Sequence, residues 1–366
     1  MVGMLAENGP CLISMKHNKT ALNPYSWTEA YNVIYVDQPA GVGYSYVDHP
    51  TNEESYPKRS EESALDFIAV VRLLPEAFPE LAGRAIHIAG ESYAGRYIPV
   101  YAAAILDYNL QVPASARLPL RSIMVGNGFT DMGDQLPAGY DTGCFTHHDI
   151  APIFNDTECA SMAVAAARCE ILQEQCEANP DEIICAASGR YCVENLFDVI
   201  DKVSVDRLNR NNTCPPNDCY PIVDKIGEYM NSASVRQALE LDSAVPFKIG
   251  DWVMESKFIE KRYHDSADFY TSSVPALQRV LSEPGIEILY YVGINDWLCN
   301  AIGIRRTLDN VRWKRWAEFR AEPMQELPWK SSDGGVGGWT KAVEGLDYVE
   351  LRGGGHLVSL LRPLSC

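Results

Sequence analysis

The residues best placed to do chemistry lie in the octapeptide Gly90-Glu91-Ser92-Tyr93-Ala94-Gly95-Arg96-Tyr97, directly after the apolar run 85–89. A buried strand ending in a Gly-x-Ser-x-small turn holds its serine in a sharp, strained bend, and only small side chains fit two residues to either side. Gly90 and Ala94 meet that need, with Ala94 in place of the usual second glycine. The chemistry implied is acyl transfer through a nucleophile, Ser92. Such a serine needs an acid and a histidine in the chain order serine, acid, histidine. Asp296 comes just after the run 286–292, and His356 follows the run 348–351 and three glycines. The other six histidines follow no late strand, so position selects His356 as the general base.

These residues require a scaffold that presents strand ends on one side. Five short runs, 33–36, 86–89, 123–125, 286–292 and 348–351, are continuous and apolar, the pattern of buried parallel strands. Residues 62–74, between the first two, have helical periodicity. Strand–helix–strand alternation predicts a parallel sheet with right-handed crossovers. With the serine turn, this is an α/β-hydrolase fold with a mostly parallel central sheet. The stretch 132–250 breaks the pattern with Ala-rich helical segments (160–167 and 172–177) and many cysteines. It reads as a helical, disulfide-rich cap inserted between a first core part, 1–131, and a second, 251–366. The glycine-rich segment 330–338 reads as a flexible loop.

Composition narrows the function classes. The chain has 366 residues, a net charge of -18 and 46% hydrophobic residues. Phosphate contacts need clustered Lys and Arg, so nucleic-acid binding is excluded, and no run reaches the ~18 apolar residues of a membrane helix. An acidic balance suits work in an acidic compartment. Eight of the eleven cysteines lie between residues 144 and 219, the density of a disulfide framework made under oxidising conditions. A zinc reading would use Cys144 with His147, His148 and Asp149, but no C-x-x-C pair occurs, so no metal and no cofactor is expected. Three sequons, at Asn18, Asn155 and Asn211, agree with passage through the secretory route as glycosylation acceptors. The first residues carry no signal peptide, and the expectation is that an N-terminal segment precedes this sequence.

The motifs together resemble one family. Gly90-Glu91-Ser92-Tyr93-Ala94-Gly95-Arg96-Tyr97-Ile98-Pro99, Asp37-Gln38-Pro39-Ala40-Gly41-Val42-Gly43-Tyr44-Ser45-Tyr46, Asn23-Pro24-Tyr25-Ser26-Trp27, Gly126-Asn127-Gly128-Phe129-Thr130-Asp131, Asn295-Asp296-Trp297-Leu298-Cys299-Asn300 and Gly354-Gly355-His356 are similar to the serine carboxypeptidases, most of all the carboxypeptidase Y type. The likeness runs through nearly the whole chain. It implies an exopeptidase acting on peptide or protein C-termini at acidic pH through an acyl-enzyme, with apolar terminal residues preferred. It implies a vacuole-like compartment or secretion.

In that resemblance Ser92 is the nucleophile, Asp296 the acid, His356 the base, and the Tyr93 amide one donor of the oxyanion hole. Glu7 and Glu91 match glutamates that hold the substrate's terminal carboxylate. Carboxyls that share protons with a third one need those protons, so binding weakens as pH rises. Tyr220 and Leu357 match residues of the terminal side-chain pocket, with Leu357 replacing a methionine. The implied disulfides are Cys144–Cys159, Cys169–Cys192, Cys176–Cys185 and Cys214–Cys219. Cys299 matches a cysteine that stays free, and Cys11 and Cys366 are unassigned. The family's Gly-Gly-Pro-Gly-Cys loop, source of the other oxyanion donor, is expected before Met1, and a terminal helix after Cys366. Two other readings share the same triad: an acyltransferase working on small molecules, and an inactive chain with an incomplete oxyanion hole. Oligomeric state is not readable.

Overall fold

In the computed structural model, residues 1–16, 19–203, 205–212, 220–241, 249–330 and 334–358 are described. A six-stranded sheet carries the fold, its strands in the spatial order 86–91, 120–126, 287–293, 346–351, 338–343 and 325–326. A separate two-stranded ribbon pairs β1 (Cys11–Ile13) with β2 (Thr20–Leu22). In the sheet, β3 (Ile86–Glu91), β4 (Leu120–Gly126), β5 (Glu287–Gly293) and β8 (Leu346–Leu351) run parallel. The two remaining strands, β7 (Gly338–Val343) and β6 (Gln325–Glu326), add antiparallel at the β8 side.

Four of the five expected strands are therefore present, and the fifth is not. Residues 33–36 join no sheet, and Ile34 and Val36 are 47% and 40% exposed. A β-branched run has strand propensity, but a strand requires a partner ladder, and β3 is the sheet's edge with nothing described beyond it. The segment expected as a flexible loop, 330–338, is anchored at both described ends. Lys330 bridges Val336, and Gly338 opens β7, where a Cβ would lie 2.1 Å from the Glu350 carbonyl oxygen. That glycine permits a close strand approach.

The α1 helix (Ser60–Ala77) and α2 (Ala94–Gln111) pack on each other and on the sheet. Ile98, Ala102 and Ile105 of α2 meet Ile88, Ile123, Val125, Ile288, Tyr290 and Val292 in the main core. Burying side chains of this size stabilises the fold by roughly 1.5–3 kcal/mol each.

Between β4 and β5 stand α3 (Met132–Gln135), α4 (Ala138–Cys144), α5 (Asp156–Ala178) and α6 (Glu182–Cys192). The two Ala-rich segments are one helix, α5, started by a capping box between Asn155 and Glu158. Cys169–Cys192 and Cys176–Cys185 tie α5 to α6, and Cys144–Cys159 ties α4 to the start of α5. Bridges of this kind typically stabilise by about 2–4 kcal/mol each. Cys299 and Cys11 are free. The expected Cys214–Cys219 bridge, Cys366 and the Asn18 sequon lie outside the described residues.

A turn of this helical segment reaches back to β8. His147 and Ile150 exchange backbone hydrogen bonds, and His148 takes a φ of 51°. Both imidazoles donate Nε2–H to Glu350 Oε2, at 3.2 and 2.6 Å, while Tyr348 and Arg305 donate to Oε1. Asp149 pairs with Arg352 at 2.9 Å. Burial pushes the Glu350 carboxyl up, but the hydrogen bonds from His147 and His148 and the Arg305 charge hold it well below the usual range.

Candidate active site

Ser92 stands between β3 and α2 with a φ of 64°, a left-handed conformation that costs a non-glycine residue roughly 1–2 kcal/mol. Hydrogen bonds hold it there. Its amide donates to the Gly126 carbonyl at the end of β4, and its carbonyl accepts from the amides of Gly95 and Phe129. A Cβ on Gly90 would lie 2.7 Å from the Ala94 methyl, so the alanine fits because the glycine leaves room. The tighter constraint is at Gly95, where a Cβ would come within 2.4 Å of the Phe129 nitrogen. Gly95 is therefore a further position after the serine where packing demands a small residue.

Asp296 and His356 are delivered by the ends of β5 and β8. The two loops lie back to back, and a Cβ on Gly293 would sit 2.3 Å from the Gly355 carbonyl oxygen. The Ile294 and Asn295 amides donate to the carbonyls of Leu351 and Gly354. His356 Nδ1 donates to Asp296 Oδ2 at 2.8 Å, with the two side chains 5% and 0% exposed. With the hydrogen on Nδ1, the neutral ring keeps its lone pair on Nε2. Among the described contacts Ser92 Oγ has no hydrogen bond to His356. Asp296 and His356 are thus held together by the ends of β5 and β8.

Asn127 was not singled out from the sequence. It follows β4 with a φ of 43°, and its Nδ2 donates to Asp296 Oδ2 at 2.7 Å and to the Gly355 carbonyl at 3.2 Å. One amide therefore ties the acid to the histidine's loop. The only sequence signal is Gly126-Asn127-Gly128, which matches a turn equally well.

Glu91 ends β3, and Glu7 closes a helical turn, Gly3–Glu7. Asn23 holds that turn, donating from Nδ2 to the carbonyls of Glu7 and Gly9 at 2.9 Å each. Trp27 N and Ser26 Oγ donate to the Asn8 carbonyl. The motif 23–27 thus serves Glu7. Burial raises the Glu7 carboxyl to about 7, partly offset by His356 and the chain's amino group. Burial, then the charges of Glu7 and Asp296, push Glu91 well above its ordinary value. Glu7, Glu91, Asp296 and His356 consequently share one electrostatic neighbourhood.

Three other candidates, Tyr93, Tyr220 and Leu357, adjoin these residues in sequence or through charge. Tyr93 begins α2, and its amide has no backbone acceptor among the described hydrogen bonds. Burial, then Asp206 and Asp296, raise the half-buried Tyr220 phenol, which sits 3.4 Å from Asn212 Nδ2. Leu357 follows His356 and is partly exposed, and Asn155 and Asn211 are exposed. Two groups bring metal-binding atoms together: His147, His148 and Glu350, and Asp296, Cys299 and His356. The imidazoles of the first already donate to its carboxylate. In the second, burial, then Asp296 and Glu91, keep the Cys299 thiol protonated and a poor ligand.

A family model described as serine carboxypeptidase matches residues 1–366. Carboxypeptidase Y homolog A of Trichophyton tonsurans is 29% identical over 373 residues, spanning 99% of this chain and 64% of that protein. The homolog of Talaromyces stipitatus is 30% identical over 377 residues, with 99% and 62% covered. This chain spans under two thirds of the length of these curated relatives. Among solved structures, Kex1(delta)p, a prohormone-processing carboxypeptidase from Saccharomyces cerevisiae, matches with a TM-score of 0.79 at 23% identity, covering 100% of this chain and 77% of that one. The fold is the α/β-hydrolase fold. No helix among the described residues is long and apolar enough to cross a membrane.

Proposed function

This chain belongs to the serine carboxypeptidase family, and we propose that it releases C-terminal amino acids from peptides through an acyl-enzyme on Ser92. Ser92 Oγ attacks the last peptide carbonyl while His356 Nε2 takes its proton, and Asp296 stabilises the resulting imidazolium. The tetrahedral oxyanion faces the Tyr93 amide. Collapse breaks the C–N bond, and His356 returns the proton to the leaving amine. Water, deprotonated by the same nitrogen, then hydrolyses the ester. No cofactor enters this scheme.

The observation that carries the exopeptidase reading is the pair of raised carboxyls, Glu7 at about 7 and Glu91 higher, beside the Asp296–His356 pair. A protonated carboxyl donates a short hydrogen bond to a substrate carboxylate, whereas an ionised one repels it. Activity therefore belongs to acidic conditions. Tyr220 and Leu357 would line the pocket for an apolar terminal side chain. Three cap disulfides and the exposed acceptors Asn155 and Asn211 suit an oxidising compartment, vacuole-like or extracellular.

The test is hydrolysis of blocked dipeptides at pH 4–6, where carboxyls still share protons, with a fluorophosphonate label read at Ser92. Release of the terminal residue from the free acid and none from the amide supports the assignment. Internal cleavage without terminal release overturns the role of Glu7 and Glu91.

A further inference from the structure

Helix α2 starts without a side-chain cap, and Tyr93, whose amide is the candidate oxyanion donor, stands at that uncapped start. A capping hydroxyl or carboxylate would occupy amides of the first turn, close to the donor that catalysis must leave free. The turn must then be held from its other side. We propose that Asp268 is a positioning residue that fixes the Tyr93 amide, acting through the Tyr93 phenol and the Arg96 guanidinium. The inference rests on the role given to Tyr93 under the proposed function.

Asp268 is 1% exposed, and its two oxygens accept five hydrogen bonds. Oδ1 accepts from the Ser60 amide and an Arg96 terminal nitrogen, both at 2.9 Å. Oδ2 accepts from Ser60 Oγ at 2.7 Å, the Tyr93 hydroxyl at 2.8 Å and Arg96 Nε at 2.9 Å. Tyr93 and Arg96 lie three residues apart, on one face of the first turn. The bidentate Arg96–Asp268 pair fixes the turn's direction, and the phenol fixes the residue that carries the donor amide. Arg96 also donates to the Thr271 carbonyl at 2.9 Å, which joins the turn to the same loop. Ser60 begins α1, so the carboxylate references α2 against a second helix.

Two further observations point to function beyond packing. Ala267, just before Asp268, has a φ of 60°, a conformation that disfavours any residue with a Cβ. The loop accepts this strain and sends the Asp268 side chain inward. Phe269 then stacks on the Tyr93 ring at 5.7 Å with an interplanar angle of 6°. Each side of Tyr93 other than its amide is therefore engaged.

Tyr93→Phe deletes one of the five donors and leaves the Arg96–Asp268 pair, the Ser60 bonds and the ring stack intact. Tyr97→Phe is the control, since Tyr97 lies edge-on to Tyr93 at 4.9 Å but donates nothing to Asp268. For the full chain, kcat on blocked dipeptides and the rate of Ser92 phosphonylation by a fluorophosphonate are measured together with KM and Tm. Loss of a whole oxyanion donor costs about 10²–10³ in rate, so a displaced one is expected to cost roughly tenfold in both rates. KM is expected to stay near wild type and Tm to fall modestly, as loss of one hydrogen bond to a buried carboxylate requires, while Tyr97→Phe leaves both rates within about twofold. Equal small losses in the two variants, or a Tyr93→Phe loss confined to Tm, would overturn the positioning role. A wild-type chain that phosphonylates but trims no peptide sinks the exopeptidase reading alone. The ratio of phosphonylation rates then still decides the role of Asp268.

Discussion

Two pairs of titratable side chains meet at this site, and they are built on opposite plans. Asp296 and His356 are joined by a 2.8 Å hydrogen bond, and Asn127 supplies a further donor to the same carboxylate oxygen. Their loops leave neighbouring parallel strands, so the sheet places them. Glu7 and Glu91 have no such bond between them among the described contacts. One ends a strand and the other closes a turn of the N-terminal segment, and burial rather than bonding sets their state. The comparison separates two requirements. Under the proposed function, a pair that moves protons needs fixed geometry and fixed charge, whereas a pair that must accept a visiting carboxylate needs unused hydrogen-bonding capacity and a proton to share.

Substitutions can break this contrast in a graded way. Ser92→Ala removes the nucleophile and is expected to lower kcat by about 10⁴–10⁶ with Tm nearly unchanged, read by dipeptide hydrolysis and melting. Asp296→Asn keeps the shape but no longer holds the productive imidazole, and about a 10⁴-fold fall in kcat is expected with little change in KM. Asn127→Ala removes a hydrogen bond to a charged acceptor, worth about 1.5–3 kcal/mol, so roughly a 10–100-fold loss in kcat/KM should follow.

Glu7→Gln acts on the other pair and should appear in KM. In the wild type, KM for free-acid substrates is expected to rise above pH 7, by up to about tenfold per unit, as Glu7 ionises. The glutamine variant should flatten that rise, and a dependence of kcat alone would refute the assignment. Stability gives the sign independently. A carboxyl raised to about 7 binds its proton more tightly folded than unfolded, so the folded state loses stability as pH climbs from about 4.5 to 7. The variant should therefore match the wild-type Tm at pH 4 and exceed it at pH 8. Glu350→Gln is the smallest perturbation of turnover. It weakens the bonds from His147, His148 and Arg305 and should lower Tm, while the folded enzyme's kcat stays within about twofold.

Much of this was legible in the sequence, for identifiable reasons. Ser92, Asp296 and His356 could be singled out because each comes soon after an apolar run, and all three of those runs are strands. Residues 33–36 misled because propensity says nothing about whether a partner strand is present. Asn127 was hidden because an asparagine between glycines fits any turn, and its role depends on Asp296, 169 residues away. Asp268 was hidden more deeply, since its donors come from Ser60, Tyr93 and Arg96, up to 208 residues distant. Long-range bonding of this kind leaves no local period or composition. Strand β7 was missed because it opens on Gly338 and carries Thr340 and Lys341, and β6 because it is only two polar residues, Gln325–Glu326.

Trp297, the residue after Asp296, is 1% exposed within the cap's own core, where its indole donates to the Phe197 carbonyl and its ring meets Phe154. The adjoining amides of Trp297 and Leu298 donate to the Arg207 carbonyl, and His356 N donates to that of Leu208. Residues 207–208 are thus laced to the chain just after Asp296 and to His356. Unfolding of this helical segment would also remove supports of the Asp296–His356 hydrogen bond, so that, under the proposed function, damage would leave an inactive molecule rather than a less selective one.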